Sequence, residues 1–220
     1  MKKNEIRSRI EEIGIIPAAR LSSAEDALFA AEAVSSAGIP IVEVTMTIPG
    51  AIGVIETLAR NRPEIIVGAG TVLDIDTARH CLCAGAMFLT STGLDLEMID
   101  FALKEEVVVF PGALTPTEVM MASKAGADFV KIFPCSLLGG TAYIKALKAP
   151  FPRVPLIASG GVNQQTAADF ILAGAVAVGI GADLIQPAAI KRRERDWIRE
   201  LAHRFANMVR DARSLREEQH

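Results

Sequence analysis

The segment Val107–Pro134, VVVFPGALTPTEVMMASKAGADFVKIFP, contains the strand–helix–strand unit on which the fold is built. Its first part, Val107–Gly112, is a β-branched apolar run without the polar alternation of a half-exposed strand. Thr115-Pro116 then supplies a helix N-cap with proline at the first helical position, and Ala125-Gly126 ends the helix. A second apolar run, Phe129–Pro134, completes the unit. Two such runs joined by a helix are typical of parallel strands covered on both faces.

The same alternation of apolar runs and helical segments extends over most of the chain. Eight strands are predicted: Ile15–Arg20, Ile41–Met46, Ile65–Val72, Phe88–Thr92, Val107–Gly112, Phe129–Pro134, Leu156–Gly161 and Ala175–Gly181. Eight strand–helix units in about 200 residues predict an α/β fold, a single (β/α)8 TIM barrel near the short end of its size range. An open doubly wound sheet is the alternative, but such a sheet more often has five to seven strands.

Capping residues flank the predicted strands. Ser23, Asp76 and Asn163 are residue types that favour a helix N-cap, and each precedes a helical segment. Glycine follows the last predicted helical turn at four places, where it can adopt the left-handed conformation that ends a helix. These glycines are Gly38, Gly85, Gly126 and Gly174.

The two ends of the chain extend beyond the barrel, which we place at about residues 14–190 of a single 1–220 domain. Residues 2–13 form an amphipathic pattern that predicts a helix capping the bottom of the barrel. Residues 191–220 contain nine Lys/Arg and six Asp/Glu, and their apolar side chains recur at helical spacing. They predict an amphipathic helix over about 191–215 that packs on the barrel.

The composition narrows the classes of protein to consider. Half of the 220 residues are apolar, 22% are charged and the formal net charge is −3. This apolar fraction excludes intrinsic disorder, and the charge balance argues against a nucleic-acid binder, which would usually be basic. Aromatic residues make up only 5%, so an aliphatic core is expected.

Cellular location is predicted from the cysteines and the first residues. Cys81, Cys83 and Cys135 match neither a zinc site nor a Cys-x-x-Cys redox motif, which favours a reducing cytoplasm. Glu5 and the Glu11-Glu12 pair interrupt any signal-peptide apolar region. No apolar stretch is long enough to span a bilayer, so no membrane partner is expected.

Two charged residues lie inside apolar strands, Glu43 in IVEVTM and Lys131 in FVKIFP. Burial of an ammonium disfavours its charged form, and a neutral amine can attack a ketone to form a Schiff base. A buried glutamate can move protons to and from the resulting intermediates. The alternative is that Glu43 and Lys131 form a purely structural ion pair, and both interpretations predict the same contact.

Further candidate residues follow from the rule that working groups of such barrels lie at the carboxyl-terminal ends of the strands. The polar candidates at these ends are Arg20, Thr45, Thr47, Thr71, Ser91, Thr92 and Ser159. The run Gly68-Ala69-Gly70-Thr71 lacks the third glycine of a dinucleotide fingerprint, because Leu73 occupies that position. A Rossmann site is therefore excluded, whereas the Thr71 hydroxyl can donate to a carboxylate.

Glycines end the seventh and eighth predicted strands, in Ser159-Gly160-Gly161 and Gly179-Ile180-Gly181-Ala182. Loops after these strands form the usual phosphate site of a TIM barrel, and glycine lets an anion approach the backbone amides. These glycines therefore predict a site for phosphate or another anion. The alternative is that they only form tight turns.

Several segments resemble the bacterial 2-keto-3-deoxy-6-phosphogluconate (KDPG) and 4-hydroxy-2-oxoglutarate (KHG) aldolases. The similar segments are GIPIVEVTM from Gly38, VGAGTVL from Val67, FPG from Phe110, GADFVKIFP from Gly126 and SGG from Ser159. The resemblance covers nearly the whole chain. It implies a trimeric (β/α)8 barrel that needs no metal or other cofactor and cleaves a 2-keto-3-deoxy acid to pyruvate through a lysine Schiff base.

The resemblance also implies residue roles. Lys131 becomes the Schiff-base lysine, Glu43 the general acid/base, Thr71 the group that holds the pyruvyl carboxylate, and Phe133 a side chain packed against the keto acid. The backbone of Gly160-Gly161 becomes the donor to the phosphate end, beside Gly181 and Ala182.

Two positions depart from the family. Thr47 stands where many members carry an arginine that clamps the carboxylate, and a hydroxyl cannot replace a bidentate guanidinium. Arg20 is the candidate to supply that cation. Ala182 replaces a serine that often contacts phosphate. The missing arginine and the segment Tyr143-Ile-Lys-Ala-Leu-Lys-Ala are more similar to the 6-phosphogalactonate branch.

Three functions therefore compete. The first is a class I aldolase acting on a 6-phospho sugar acid, with an aldolase for hydroxyoxoglutarate or another unphosphorylated keto acid as its variant. The second is a metal-dependent aldolase or epimerase, which His80, His203 and His220 do not favour because none falls in the predicted barrel mouth. The third, favoured by Thr47 and Ala182, is a non-catalytic assembly protein that keeps the fold.

Overall fold

The computed structural model describes residues 1–218, and its strands form one parallel sheet. The strands are β1 (Ile15–Ala19), β2 (Ile41–Thr45), β3 (Ile66–Gly70), β4 (Phe88–Thr90), β5 (Val108–Phe110), β6 (Gly112–Ala113), β7 (Val130–Ile132), β8 (Leu156–Ser159) and β9 (Ala177–Ile180). Their order in the sheet is β5-β4-β3-β2-β1-β9-β8-β7-β6. Every strand pair is parallel, as the continuous apolar runs predict.

Helices alternate with the strands. They are α1 (Lys3–Ile13), α2 (Ala24–Ser35), α3 (Ala51–Asn61), α4 (Ile75–Cys83), α5 (Leu96–Lys104), α6 (Pro116–Lys124), α7 (Gly140–Lys148), α8 (Ala167–Leu172), α9 (Pro187–Lys191) and α10 (Arg195–Glu218), with a 3₁₀ turn at Ser136–Leu138. Between β1 and β9 each strand is followed by a helix, except that β5 runs directly into β6.

The strands β5 and β6 are two halves of the single predicted strand Val107–Gly112, which is divided at Pro111. The first half pairs with β4 and the second half pairs with β7. Across this junction the amides of Asp128 and Lys131 donate to the carbonyls of Val109 and Pro111. One strand thus joins the two edges of the sheet, so the fold is the predicted (β/α)8 barrel and the doubly wound alternative is wrong.

Most predicted strands are longer than the observed ones, because the last predicted residues form turns and make no strand pairing. The third strand stops at Gly70 instead of Val72, since Thr71 has a left-handed backbone with φ of 57°. The seventh predicted strand stops at Ser159 because Gly160 and Gly161 have φ of 88° and 84°.

Two predicted helix starts are displaced. The helix expected at Asp76 begins at Ile75, because Asp74 is the N-cap and accepts a hydrogen bond from the Thr77 amide at 2.7 Å. The segment after Asn163 first forms a turn, and its helix begins only at Ala167. The predicted cap at Ser23 is confirmed. So is the Thr115 cap, which forms a capping box with Glu118. All four predicted terminating glycines have positive φ.

The helices at the two ends pack on the barrel as expected. Helix α1 buries Ile6 and Ile10 and contacts β1, β5 and β9. The predicted helix over 191–215 begins later and ends later, at Arg195–Glu218, since Arg193 takes a left-handed backbone and separates it from α9. Helix α10 buries Ile198, Leu201 and Phe205 among other residues, chiefly against α8 and α2.

The buried apolar side chains are mostly aliphatic, in line with the composition. Three phenylalanines nevertheless form an aromatic cluster. Phe88 stacks on Phe110 with ring centroids 5.1 Å apart, and Phe129 meets Phe110 edge-on at 6.0 Å. A side chain at Gly68 would overlap the Phe88 ring, so glycine in β3 makes room for this cluster.

Candidate active site

Lys131 and Glu43 face each other inside the barrel, on β7 and β2. The ammonium nitrogen Nζ lies 3.4 Å from each carboxylate oxygen of Glu43, and the two side chains are only 7% and 4% exposed. The predicted contact between the two buried charges is therefore present. Apart from Lys131, no hydrogen-bond partner of the Glu43 carboxylate occurs among residues 1–218. A carboxylate with spare acceptor capacity beside an amine is suited to proton transfer.

The backbone places these two side chains with little freedom. Lys131 pairs with Gly112 across the β6–β7 ladder, and its amide donates to the Pro111 carbonyl at 2.9 Å. Glu43 lies opposite Gly68 in the β2–β3 ladder. A Cβ added at Gly70 would overlap the Glu43 carboxylate, so the glycine leaves the space that this carboxylate occupies.

Thr71 follows β3 and combines two unusual features. Its backbone is left-handed, which is uncommon for a residue with a Cβ and strained for a β-branched one. Its Oγ1 is buried and makes no hydrogen bond, the single side-chain atom of this kind within residues 1–218. Unsatisfied buried hydroxyls are rare and costly, which marks Thr71 as a group with a donor free for a ligand.

The hydroxyl of Thr45 is already used within the protein. It donates to the Ala19 carbonyl at 2.9 Å and lies 2.8 Å from the Thr47 hydroxyl. Thr45 is fully buried, whereas Thr47 is exposed. The structure therefore joins Thr45 to the end of β1 and leaves Thr47 at the surface beyond β2.

Arg20 follows β1 and is exposed. Together with Lys191 it lines a surface cavity of about 310 Å³. Neither cation forms an ion pair within residues 1–218. Arg20 is thus free to meet an anion, but no contact joins it to Lys131, Glu43 or Thr71.

Ser159, Gly160 and Gly161 form a turn held from outside by the segment after β7. The amides of Cys135 and Ser136 donate to the carbonyls of Ser159 and Gly160 at 2.8 and 3.1 Å. The Ser136 hydroxyl donates to the Gly161 carbonyl at 2.9 Å. With their carbonyls bound in this way, the glycines hold a fixed positive-φ conformation at the carboxyl-terminal end of the barrel.

The remaining candidates lie around the same barrel end. Phe133 follows β7, and its ring centroid is 5.8 Å from Lys131 Nζ. Gly181 and Ala182 follow β9 directly, and Ala182 is exposed. The sequence analysis missed the contributions of Gly70, Cys135 and Ser136. The glycine at the end of β3 hints at the first, whereas nothing in the sequence indicates the hydrogen bonds of Cys135 and Ser136.

Two further findings concern residues 1–218. No group of three or more His, Cys, Asp or Glu side chains is placed to hold a metal ion. His80 lies on α4 and His203 on α10, while His220 lies outside the described residues. None of the described helices combines the length and apolar character needed to cross a membrane.

Comparisons with known proteins identify the family of the chain. The sequence model of the KDPG and KHG aldolase family matches residues 6–201. The 2-dehydro-3-deoxy-phosphogluconate aldolase of Pseudomonas aeruginosa is 33% identical over 211 residues, which cover 93% of this chain and 95% of that protein. The KHG/KDPG aldolase of Escherichia coli is 30% identical over 188 residues, covering 86% and 88%.

A solved structure is similar over the same length. It is the KDPG aldolase of Legionella pneumophila with pyruvate captured at low pH as a covalent carbinolamine intermediate. The match has a TM-score of 0.84 at 31% identity and covers 90% of this chain and 96% of that one. With a family match over most of its length, this chain belongs to the KDPG and KHG aldolase family, and it is an enzyme of the carbon–carbon lyase class.

Proposed function

We propose that this chain is a class I aldolase that cleaves a 2-keto-3-deoxy-6-phospho sugar acid, of the phosphogluconate or phosphogalactonate type, to pyruvate and an aldehyde such as glyceraldehyde 3-phosphate. The observation that carries the proposal is the buried pair of Lys131 and Glu43 inside the barrel. The covalent carbinolamine described for the Legionella pneumophila relative supports the same chemistry.

The reaction begins with proton transfer within the pair. Glu43 takes a proton from the Lys131 ammonium, and the neutral amine attacks the C2 ketone of the substrate to give a carbinolamine. Protonated Glu43, directly or through a water, then donates to the departing hydroxyl, and water leaves as the iminium forms. The separation of 3.4 Å to both carboxylate oxygens supports this role, since either oxygen can exchange the proton.

Carbon–carbon cleavage uses the iminium as an electron sink. The carboxylate of Glu43 accepts the proton of the C4 hydroxyl, the C3–C4 bond breaks, and its electron pair forms an enamine on Lys131. The C4 carbon leaves as the aldehyde. Return of the proton to C3 regenerates an iminium, and its hydrolysis by water gives pyruvate and the Lys131 ammonium beside the Glu43 carboxylate, which is the starting state. No external oxidant, reductant or metal enters this sequence.

The substrate carboxylate is held by Thr71 in this proposal. Its unsatisfied buried hydroxyl and fixed left-handed backbone supply a donor that needs no rearrangement. Phe133 packs against the keto acid beside the Lys131 amine. Arg20 supplies the cation that Thr47 lacks, and Thr45 holds Thr47 rather than contacting the substrate itself.

The phosphate of the substrate lies at the Gly160-Gly161 turn in this proposal, where glycine permits close approach of an anion to the backbone. The Ser159 hydroxyl and the backbone at Gly181 and Ala182 complete this end of the site. No metal or other cofactor is needed for these roles.

An unphosphorylated keto acid, such as hydroxyoxoglutarate, is the second candidate substrate. Ala182 favours it, since it replaces a serine that often contacts phosphate in the relatives, whereas the arginine replaced by Thr47 serves a carboxylate that both kinds of substrate carry. Parallel assays of phosphogluconate, phosphogalactonate and hydroxyoxoglutarate substrates, coupled to lactate dehydrogenase, separate the candidates by kcat/KM. A preference for the unphosphorylated acid would overturn the phosphate assignment while leaving the Lys131 chemistry intact.

We also propose that the whole chain is one aldolase domain that works as a homotrimer in the cytoplasm. The trimer rests on the family resemblance, and the exposed apolar side chains Leu73, Leu96 and Leu137 are consistent with self-association. Sedimentation of the purified protein tests the oligomeric state, and a monomer at micromolar concentration contradicts it.

Borohydride trapping tests the Schiff base. Incubation with pyruvate and sodium borohydride should add one reduced pyruvate to each chain, and peptide mapping should place it on Lys131. The control variant Lys145→Met, which removes an exposed lysine of α7, should be labelled normally. Failure to label the wild type, or labelling that survives Lys131→Met, would overturn the assignment.

A further inference from the structure

A cationic cavity lies at the amino-terminal end of the barrel, opposite the carboxyl-terminal strand ends that carry the aldolase site. It has a volume of about 430 Å³ and is bordered by α1, by the segments leading into β8 and β9, and by the end of α10. Four of its lining side chains are cations, Arg7, Lys148, Arg153 and Arg216, and one, Glu11, is an acid. We call this the basal pocket.

The positive charge of the basal pocket is poorly compensated. Within residues 1–218 its one ion pair joins Arg7 to Glu11 at 3.4 Å. Lys148, Arg153 and Arg216 have no carboxylate partner in that part of the chain, nor has the neighbouring Arg213. Lys148 and Arg216 are half-buried, and partly buried charges are normally paired, so an anionic ligand would supply the compensation that these two cations lack.

Hydrogen bonds to carbonyl groups hold two of these cations in place without neutralising them. The Lys148 ammonium donates to the carbonyls of Pro152 and Val154 at 2.7 and 2.9 Å. Arg216 donates through Nη1 to the carbonyls of Ile171 and Ala175, both at 3.1 Å. The cations are therefore fixed around the cavity before any ligand binds.

Two cations at this end of the barrel, Lys148 and Arg213, have a lowered pKa. Burial, with the nearby Arg216 guanidinium, lowers the pKa of Lys148. The same two causes lower the pKa of Arg213, against the opposing effect of Glu217, Glu11 and Glu12. An anion placed among these cations would act in the opposite direction and raise both pKa values.

The arrangement exceeds what helix capping needs. Cations at helix ends often bind terminal carbonyls, and this accounts for Lys148 and Arg216. It does not account for Arg153, which lines the pocket, is exposed, and makes no hydrogen bond or ion pair within residues 1–218. A guanidinium with all its donors free matches the oxygens of a phosphate in a bidentate manner.

We propose that the basal pocket binds the phosphate group of a small molecule, at a site separate from the barrel mouth. Arg153 and Arg216 contact the oxygens, and Lys148 contributes positive charge from the pocket wall. Because the pocket joins both ends of the chain to the segments before β8 and β9, an occupied site stabilises the closed barrel.

Titration with inorganic phosphate, and separately with glycerol 3-phosphate, tests the proposal in the full-length protein. Amide resonances of Gly174 and Val176 report the basal pocket, whereas those of Gly160 and Gly161 report the barrel mouth. We expect saturable shifts at the basal amides and an increase in Tm. Tighter binding of glycerol 3-phosphate identifies a phosphate monoester as the ligand, and equal binding identifies free phosphate.

The variants Arg153→Glu and Lys124→Glu are matched in charge change. Lys124 is exposed, ends α6 and does not line the pocket. Arg153→Glu should weaken basal binding by about tenfold or more and leave the mouth resonances unchanged. Lys124→Glu should leave basal binding intact. Absence of saturation up to about 10 mM ligand, or equal weakening by both variants, would overturn the proposal.

Discussion

Two lysine–carboxylate pairs lie close together along the chain, one just before β7 and one within it. Two residues before this strand Asp128 binds Lys3 at 2.9 Å and also accepts from the Val109 amide at 2.9 Å. Within the strand Lys131 meets Glu43 at 3.4 Å, and Glu43 has no other hydrogen-bond partner within residues 1–218. Both carboxylates are buried, so burial alone does not distinguish the two pairs.

The difference lies in how fully each carboxylate is bonded. Asp128 joins α1 to the barrel through Lys3, and its removal would leave the buried Val109 amide without an acceptor. Glu43 satisfies no backbone group, so its removal breaks nothing except its own pair. A buried ion pair is weak evidence of stabilisation, and one that ties no backbone is better explained by chemistry. We therefore expect the pair of Lys3 and Asp128 to serve stability and the pair of Lys131 and Glu43 to serve the proposed reaction.

Replacing both Lys131 and Glu43 by apolar residues should give the largest effect on activity. The double variant Lys131→Met/Glu43→Leu should lose pyruvate release down to background, a fall of at least about 10⁶-fold. Its free energy of unfolding should stay the same or rise by about 1–4 kcal/mol, because a desolvated pair is replaced by packing of similar volume. Coupled pyruvate assays and urea unfolding measure the two. A large loss of stability would show that Lys131 and Glu43 have a structural role, like Lys3 and Asp128.

The matching change at Lys3 and Asp128 should lower stability and leave activity unchanged. Lys3→Met/Asp128→Leu leaves the Val109 amide buried without an acceptor, which should lower the free energy of unfolding by about 1–3 kcal/mol. Catalysis at the far end should be unchanged in kcat/KM at temperatures where the protein is folded. Asp128→Asn is the control, since its amide oxygen still accepts from Val109. An equal loss in Asp128→Asn would contradict the role of that hydrogen bond.

Gly70→Ala probes how closely the position of Glu43 is set. The added Cβ overlaps the Glu43 carboxylate, so the carboxylate must move away from Lys131. We expect kcat to fall by about 10²-fold, the usual result of displacing a catalytic group by about 1 Å. The control Gly53→Ala lies in α3 with open space around its Cβ and should leave kcat unchanged. Equal activity of both variants would show that Glu43 tolerates displacement.

Thiol labelling asks whether the reactive end contains a second nucleophile. Cys135 lies close to Lys131 in sequence, but burial raises the pKa of its thiol to about 11. Burial likewise raises the pKa of Cys81 to about 11. At pH 8 only about one part in a thousand of either is thiolate, and this fraction grows about tenfold per pH unit. Iodoacetamide at pH 8 should therefore label only the exposed Cys83 and leave activity intact. Rapid inactivation with Cys135 labelled would contradict this.

The sequence predicted most of what local patterns control. Apolar runs predicted eight strands, and the Thr115-Pro116 cap and the terminating glycines predicted helix ends that the structure confirms. Charged residues inside apolar strands predicted the contact of Lys131 with Glu43, because barrel strands place inward side chains together. The catalytic roles assigned to these two residues remain predictions.

Features that depend on distant contacts were not predicted. The division of the fifth strand depends on two neighbours that are far apart in sequence. Thr45 and Thr71 are both threonines at strand ends, yet only the Thr45 hydroxyl finds a carbonyl, at Ala19. In the sequence Asp128 is one polar residue before a strand, and its pairing with Lys3 of α1 is seen only in the fold. Sequence patterns give the residue type and its place in a strand, but not its partner.

Pro111 bears on how the barrel is fastened. At this residue the strand exchanges one neighbour for another, and proline contributes an acceptor there without an N–H that would need a partner. Paired strands in the barrel are held together by hydrogen bonds. At Pro111, by contrast, β5 and β6 are joined by the covalent chain itself. The backbone amide of Lys131 donates a hydrogen bond to the Pro111 carbonyl. The backbone that carries the Lys131 side chain is thus hydrogen-bonded to the residue at which the strand changes from one neighbour to the other, where the covalent chain itself continues the ring.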